Sequence, residues 1–282
     1  MIGADIARMP RPCSVDELIG WARDAHLGTD PNELVVATAF HTRYGTHHVS
    51  RRGGYRNEIL SLRVGAAVGS CGLEPGDDRC SGDVVDECLG ATVAQLLFHP
   101  QLPVRIAALD AYLMHLWPHP AAGGVAAEPV DVGGGGSLEK SRQRAEAVVN
   151  LLPPHVRRVL VVGVVGSLLS ALRSRSVAYY PCDLTGGRTE WDELVYRSAA
   201  AAPGDYDALL VTGMTLGNGT FDIFLGDAKA RSIPLVLFAQ TGSGVLPWFL
   251  GRGVTAVSAE PYPFFSLDGG PSTLFHYRQG EL

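Results

Sequence analysis

The chain has 282 residues, 46% of them hydrophobic and 18% charged, enough apolar material for one large core or two ordinary ones. Its formal charge of −6 argues against nucleic acid as a partner, because phosphate binding needs basic surface. No apolar run reaches the ~20 residues of a membrane helix, the first residues lack a charged-then-apolar secretion signal, and five irregularly spaced cysteines do not read as a disulfide framework, so a cytoplasmic protein with reduced thiols and no membrane partner is expected.

Ser14-Val-Asp-Glu17 has the capping-box pattern and predicts a helix to about His26. Leu34–Phe40 reads as a strand, followed by turns at Tyr44-Gly45 and Gly53-Gly54 between further short strands, one of them Ile59–Val64. Gly65–Gly72 reads as a loop of small residues, and apolar residues at helical spacing predict helices over Asp83–Phe98 and Pro103–Leu116. This first part, residues 1–117, is expected to be a smaller α+β domain. Residues 118–152 read as a Gly/Pro-rich linker, with Gly133–Gly136 in it, and a connecting helix over Leu138–Leu152.

Residues 153–282 alternate strands and helices. Strands are expected at Val159–Gly163, Val177–Tyr180, Ala208–Thr212, Pro234–Ala239, Val254–Ser258 and Thr273–Tyr277, and helices at Ser167–Arg175, Glu190–Ala200, Phe221–Ala230 and Val245–Leu250. That rhythm implies parallel βαβ units. The fold class is therefore α/β, a Rossmann-like parallel sheet domain preceded by the smaller α+β domain.

The polar turns of this sheet carry the candidate chemistry. Thr212-Gly-Met-Thr-Leu-Gly-Asn-Gly-Thr220 runs from a strand into a helix. Its glycines permit a tight turn and close approach of a ligand, and the helix start favours an anion. Thr212, Thr215, Asn218 and Thr220 are candidate anion-binding residues, although Asn218 and Thr220 also suit helix capping. Gly163-Val-Val-Gly-Ser167 follows the first strand, with Asp183 twenty residues beyond Gly163. This layout allows dinucleotide binding, with Asp183 on a ribose, but the pattern lacks the glycine that admits a pyrophosphate, so no cofactor is expected. Gly163 and Ser167 join the candidate anion-binding residues, although a compact strand–helix turn accounts for Gly163 and Gly166, and a turn cap for Asp183.

Gln240-Thr241-Gly-Ser243 and Glu260 end the fourth and fifth strands, and Gln240, Thr241 and Ser243 are further candidate anion-binding residues. Glu260 and Asp183 are the candidate catalytic carboxylates, either able to accept a proton, and Glu260 also reads as a loop charge. Arg43-Tyr44 and His47-His48 share one turn, but adjacent residues of a strand face opposite ways. Cys71, Cys80 and Cys88 fit no zinc spacing, so no metal is expected. Cys71 reads as a reactive thiol or as a small buried apolar residue.

The segment Ala208–Thr220, with its T-G-x-T-x-x-N-G-T core, and Gly253-Val-Thr-Ala-Val257 resemble the Rossmann-like family labelled for heavy-metal chelation. The Gly69-Ser-Cys-Gly72 loop and Arg105–Ala111 resemble that family's front domain, which is likened to the front domain of enolases. The resemblance implies a branch in bacterial specialised metabolism, where paired subunits close an aziridine ring on an amino-acid-derived precursor by expelling sulfate. Three functions follow as expectations: an enzyme or enzyme subunit acting on a small anionic substrate, a metal- or metallophore-binding protein, or a partner subunit that supports a catalytic paralogue. A homodimer or a heterodimer with a paralogue is the expected assembly.

Overall fold

The computed structural model describes residues 10–47, 54–74 and 83–280. His48, Gly53 and Cys80, which the sequence reading singled out, lie outside the described residues.

Helix α1 (Val15–Arg23) begins where the sequence places it, with the Ser14 hydroxyl accepting the Glu17 N–H. β1 (Val36–His47), β2 (Gly54–Val64) and β3 (Ala67–Leu73) form an antiparallel sheet in that order. Two expectations are corrected here. Tyr44-Gly45 is no turn but lies inside one long strand, Tyr44 pairing with Asn57. The small-residue loop is strand β3, and its glycines serve packing: a Cβ on Gly69 would stand 1.9 Å from the Ala111 backbone nitrogen.

Helices α2 (Asp83–Cys88), α3 (Val93–Leu97) and α4 (Leu102–Leu116) complete this domain. The single helix expected to Phe98 is broken at Gly90, whose φ is +74°. Helix α4 is buried on nearly every side, from Val104 to Leu113, as expected of a helix enclosed by other elements.

The second sheet has seven strands. Five are parallel: β5 (Arg158–Val162), β6 (Ala178–Cys182), β9 (Ala208–Thr212), β10 (Leu235–Ala239) and β11 (Ala256–Ala259). β12 (Ser272–Arg278) runs antiparallel to β11, and β4 (Glu128–Val132) antiparallel to β12. Part of the stretch read as a linker is thus the edge strand β4, and Pro129 is tolerated there because an edge has no neighbour to receive its missing N–H.

Helices α5 (Ser137–Val149) and α6 (Gly166–Ser174) cover one face of the sheet with a core of Val148, Val149, Leu168 and Leu172 against Val161, Leu210 and Val236. The other face carries α7 (Met214–Gly217), α8 (Phe221–Arg231) and the front domain, whose α4 shares one continuous core with Val211, Leu237 and Val257. The helix expected over Glu190–Ala200 is absent. In its place stand the two-residue strands β7 (Gly187–Arg188) and β8 (Leu194–Val195) and a short 3-10 turn at Ala199–Ala201. Asp192, at φ +67°, makes the reversal between the two strands. Val245–Leu250 contains a 3-10 helix (Leu246–Phe249) rather than an α-helix. Among the described residues no helix is long and apolar enough to cross a membrane.

Candidate functional site

Within the parallel strands the order is β6-β5-β9-β10-β11. β5 leads outward to β6 on one side, and the chain then returns to lay β9 on the other. Crevices at such a reversal, beyond the carboxyl ends of the strands, are where open α/β sheets bind ligands. A cavity of about 790 Å3 opens there, lined by the turns after β5, β6, β9 and β10, by α5, and by the β2–β3 hairpin of the front domain. That volume falls in the range of small-molecule sites.

The structure brings most of the expected residues to this cavity. Gly163, Asp183, Thr212, Thr215, Asn218, Thr220, Gln240 and Thr241 line it. Gly163 has φ +87° and would meet Thr212 with any Cβ, so the turn itself calls for glycine. Ser167, Ser243 and Glu260 are not in the lining. Ser167 is buried beneath it and accepts from the Ser141 hydroxyl at 2.8 Å. Ser243 is turned into the protein toward His119 Nε2 at 3.3 Å, and burial depresses that imidazole's pKa to about 4. Ser167 and Ser243, both expected at the ligand, are thus buried outside this lining.

Several hydroxyls and amides in the lining already spend their protons on the turn. Thr215 Oγ1 donates to the Thr212 carbonyl at 2.7 Å. Thr220 Oγ1 donates to Asn218 Oδ1, and Asn218 Nδ2 donates to Glu74 Oε1, both at 2.7 Å. Asp183 accepts from the Thr185 N–H at 3.0 Å and hydroxyl at 2.6 Å, and from the Val164 N–H at 3.3 Å. It caps its turn and still faces the cavity.

Glu260 lies one hydrogen bond behind the wall. Its Oε2 accepts from Arg144 Nε at 2.7 Å and Gln240 Nε2 at 3.2 Å, and its Oε1 from the Phe265 N–H. The side chain is 2% exposed and that of Arg144 9%. Arg144, which the sequence reading missed, lines the cavity with its guanidinium 5.8 Å from the Phe238 ring centroid and 5.7 Å from that of Phe265. The signal was present in α5: Lys140, Ser141 and Arg144 recur on the face that also carries Ala145 and Val148, so polar groups occupy an inward stripe. Exposed Arg56, Arg188 and Arg197 add positive charge at the mouth.

Cys182 also lines the cavity, but burial pushes its thiol to about 11, which keeps it protonated and poorly nucleophilic. Cys71 is buried and donates to the Gly72 carbonyl at 3.4 Å, the packing role rather than the reactive one. Among the described residues no three His, Cys, Asp or Glu side chains gather as a metal site would require.

No protein-family model and no curated relative matches the chain. Among solved structures it is similar to two proteins of unknown function from the DUF364 family. One is from Desulfitobacterium hafniense DCB-2, with 15% identity over 88% of each chain and a TM-score of 0.56. The other is from Pyrococcus horikoshii, with 12% identity over 92% of this chain and 98% of that one and a TM-score of 0.55. The likeness is one of fold, and it spans both the front domain and the mostly parallel sheet.

Proposed function

We propose that the cavity at the reversal of the sheet binds a small anionic, amino-acid-derived substrate, and that the chain is an enzyme or enzyme subunit of bacterial specialised metabolism. The observation that carries this reading is Arg144, a buried cation in the cavity wall held in place by Glu260. The reaction we favour is closure of an aziridine-type ring. The substrate amine loses a proton, its lone pair forms a bond to a neighbouring carbon, and the carbon–oxygen bond to a sulfate ester breaks with the electron pair leaving on sulfate. Asp183 faces the cavity and is the proposed proton acceptor. Glu260 acts through Arg144 and not on the substrate, since its oxygens are engaged by Arg144, Gln240 and Phe265. Holding amine and carbon close together would supply much of the acceleration, and the Arg144 guanidinium would favour the departing anion. The arginines at the mouth would draw an anion into an otherwise acidic protein.

The test is release of inorganic sulfate from O-sulfoserine by the purified chain, alone and mixed with a paralogue encoded beside it. Release that Asp183→Asn removes supports the reading. Absence of release in every mixture rejects ring closure.

A further inference from the structure

The inward face of α5 carries two buried basic side chains, Lys140 and Arg144. Lys140 is 1% exposed. Its Nζ donates only to the backbone carbonyls of Asp268 and Gly270 and forms no ion pair with a described residue. Arg144, one turn along the same face, is paired through Nε with Glu260. Its Nη1 and Nη2 have no hydrogen-bond partner among the described residues. Arg144 thus reaches the cavity with one edge of its guanidinium held by Glu260 and the other edge open. A planar carboxylate matches that open fork.

Phe238 and Phe265 lie beside the guanidinium, and Val164, Val165, Leu184 and Ile223 supply apolar surface to the same cavity, the last two 51% and 64% exposed.

We infer that Arg144 holds the carboxylate of an organic acid whose apolar part packs against Val164, Val165, Leu184 and Ile223. The inference rests on the proposed anion-binding role of the cavity and names the class of molecule it takes.

Calorimetric titration of the full chain at pH 8 with octanoate and octanamide tests this. Octanoate is expected to bind at least tenfold tighter than octanamide, a tenfold ratio being about 1.4 kcal/mol. Arg144→Gln is expected to weaken octanoate at least tenfold and leave octanamide unchanged. Should Arg144→Gln fail to fold with Glu260 left unpaired, the double variant Arg144→Gln/Glu260→Gln restores a neutral pair and carries the same expectation. Equal binding of octanoate and octanamide, or octanoate binding unchanged without Arg144, overturns the inference. If no probe binds while sulfate is still released from O-sulfoserine, the substrate class is refuted and the anion-binding reading stands. Octanoate binding without sulfate release removes ring closure alone.

Discussion

Asn218 Nδ2 donates to Glu74 Oε1 at 2.7 Å, joining the turn after β9 to the end of β3 across the cavity wall. The other end of the same amide accepts the Thr220 N–H and hydroxyl. Asn218 is therefore a brace between the two domains before it is anything else. Asn218→Ala should cost on the order of 1–3 kcal/mol in urea denaturation, since it strips partners from three groups at once. Glu74→Gln keeps an oxygen in place for the amide and should cost under about 1 kcal/mol. Equal losses in the two variants would mean that the carboxylate's charge, not its acceptor geometry, matters.

The Arg144–Glu260 pair should behave as a buried ion pair does when one member is lost. Glu260→Gln leaves the guanidinium uncompensated, and a loss of about 3–5 kcal/mol is expected by chemical denaturation. Arg144→Met/Glu260→Leu removes both charges and should recover most of that loss. A double variant no better than the single one would contradict the pairing.

Two glycines separate close packing from helix propensity. A Cβ on Gly217 would stand 2.5 Å from the Gly72 carbonyl oxygen and 2.7 Å from Cys71 Sγ, so Gly217→Ala should push β3 and α7 apart and cost about 1–3 kcal/mol. Gly226, exposed within α8, has nothing within 4 Å of that position. There Gly226→Ala should raise stability by about 0.5–1 kcal/mol. Thermal denaturation of the two variants reads both signs.

Asp110 gives stability a pH dependence of predictable sign. It is fully buried in α4 and accepts backbone N–H groups of Ser70 and Gly244, each at 2.8 Å. Burial raises its carboxyl to about 7 against these bonds, which act in the opposite direction. The folded chain therefore keeps a proton between roughly pH 4 and 7 that the unfolded chain has already released. Stability from this group is full at the acid end of that window and declines as pH rises to about 7. His119 and His276, both depressed to about 4 by burial, act the other way and lose stability as pH falls below 6.5. Subtracting the Asp110→Asn variant from the wild type isolates the carboxyl. The difference in unfolding free energy should fall by about 2–3 kcal/mol from pH 5 to pH 8. A flat difference would show that Asp110 is ionised throughout.

Local patterns carried the parallel strands well, because a buried strand is an apolar run between polar turns, as at Ala208–Thr212 and Leu235–Ala239. The direction of a strand has no such mark. Nothing local distinguishes antiparallel β12 from its parallel neighbours, and β4 is a polar edge of five residues within a Gly/Pro-rich stretch. β3 looked like a loop because its small residues answer to α4, which lies far away in the chain. The glycine turns of the site were legible for the same reason as the strands they end. What they do with their protons was not. Thr215 and Thr220 donate within their own turn, and the cation they leave to meet an anion comes from α5, read from sequence only as a connecting helix. Glu260 was visible as a carboxylate at a strand end, but its partner lies 116 residues earlier in the chain.

The central claim is that the cavity holds a small anion against Arg144. The most direct measurement is the crystal structure of the full chain grown with selenate, located by its anomalous scattering. The account expects a selenium peak inside the cavity, with oxygens within hydrogen-bond distance of Arg144 Nη1 or Nη2. Selenate found only on the outer surface, with the space between Phe238 and Phe265 filled by water, would contradict it.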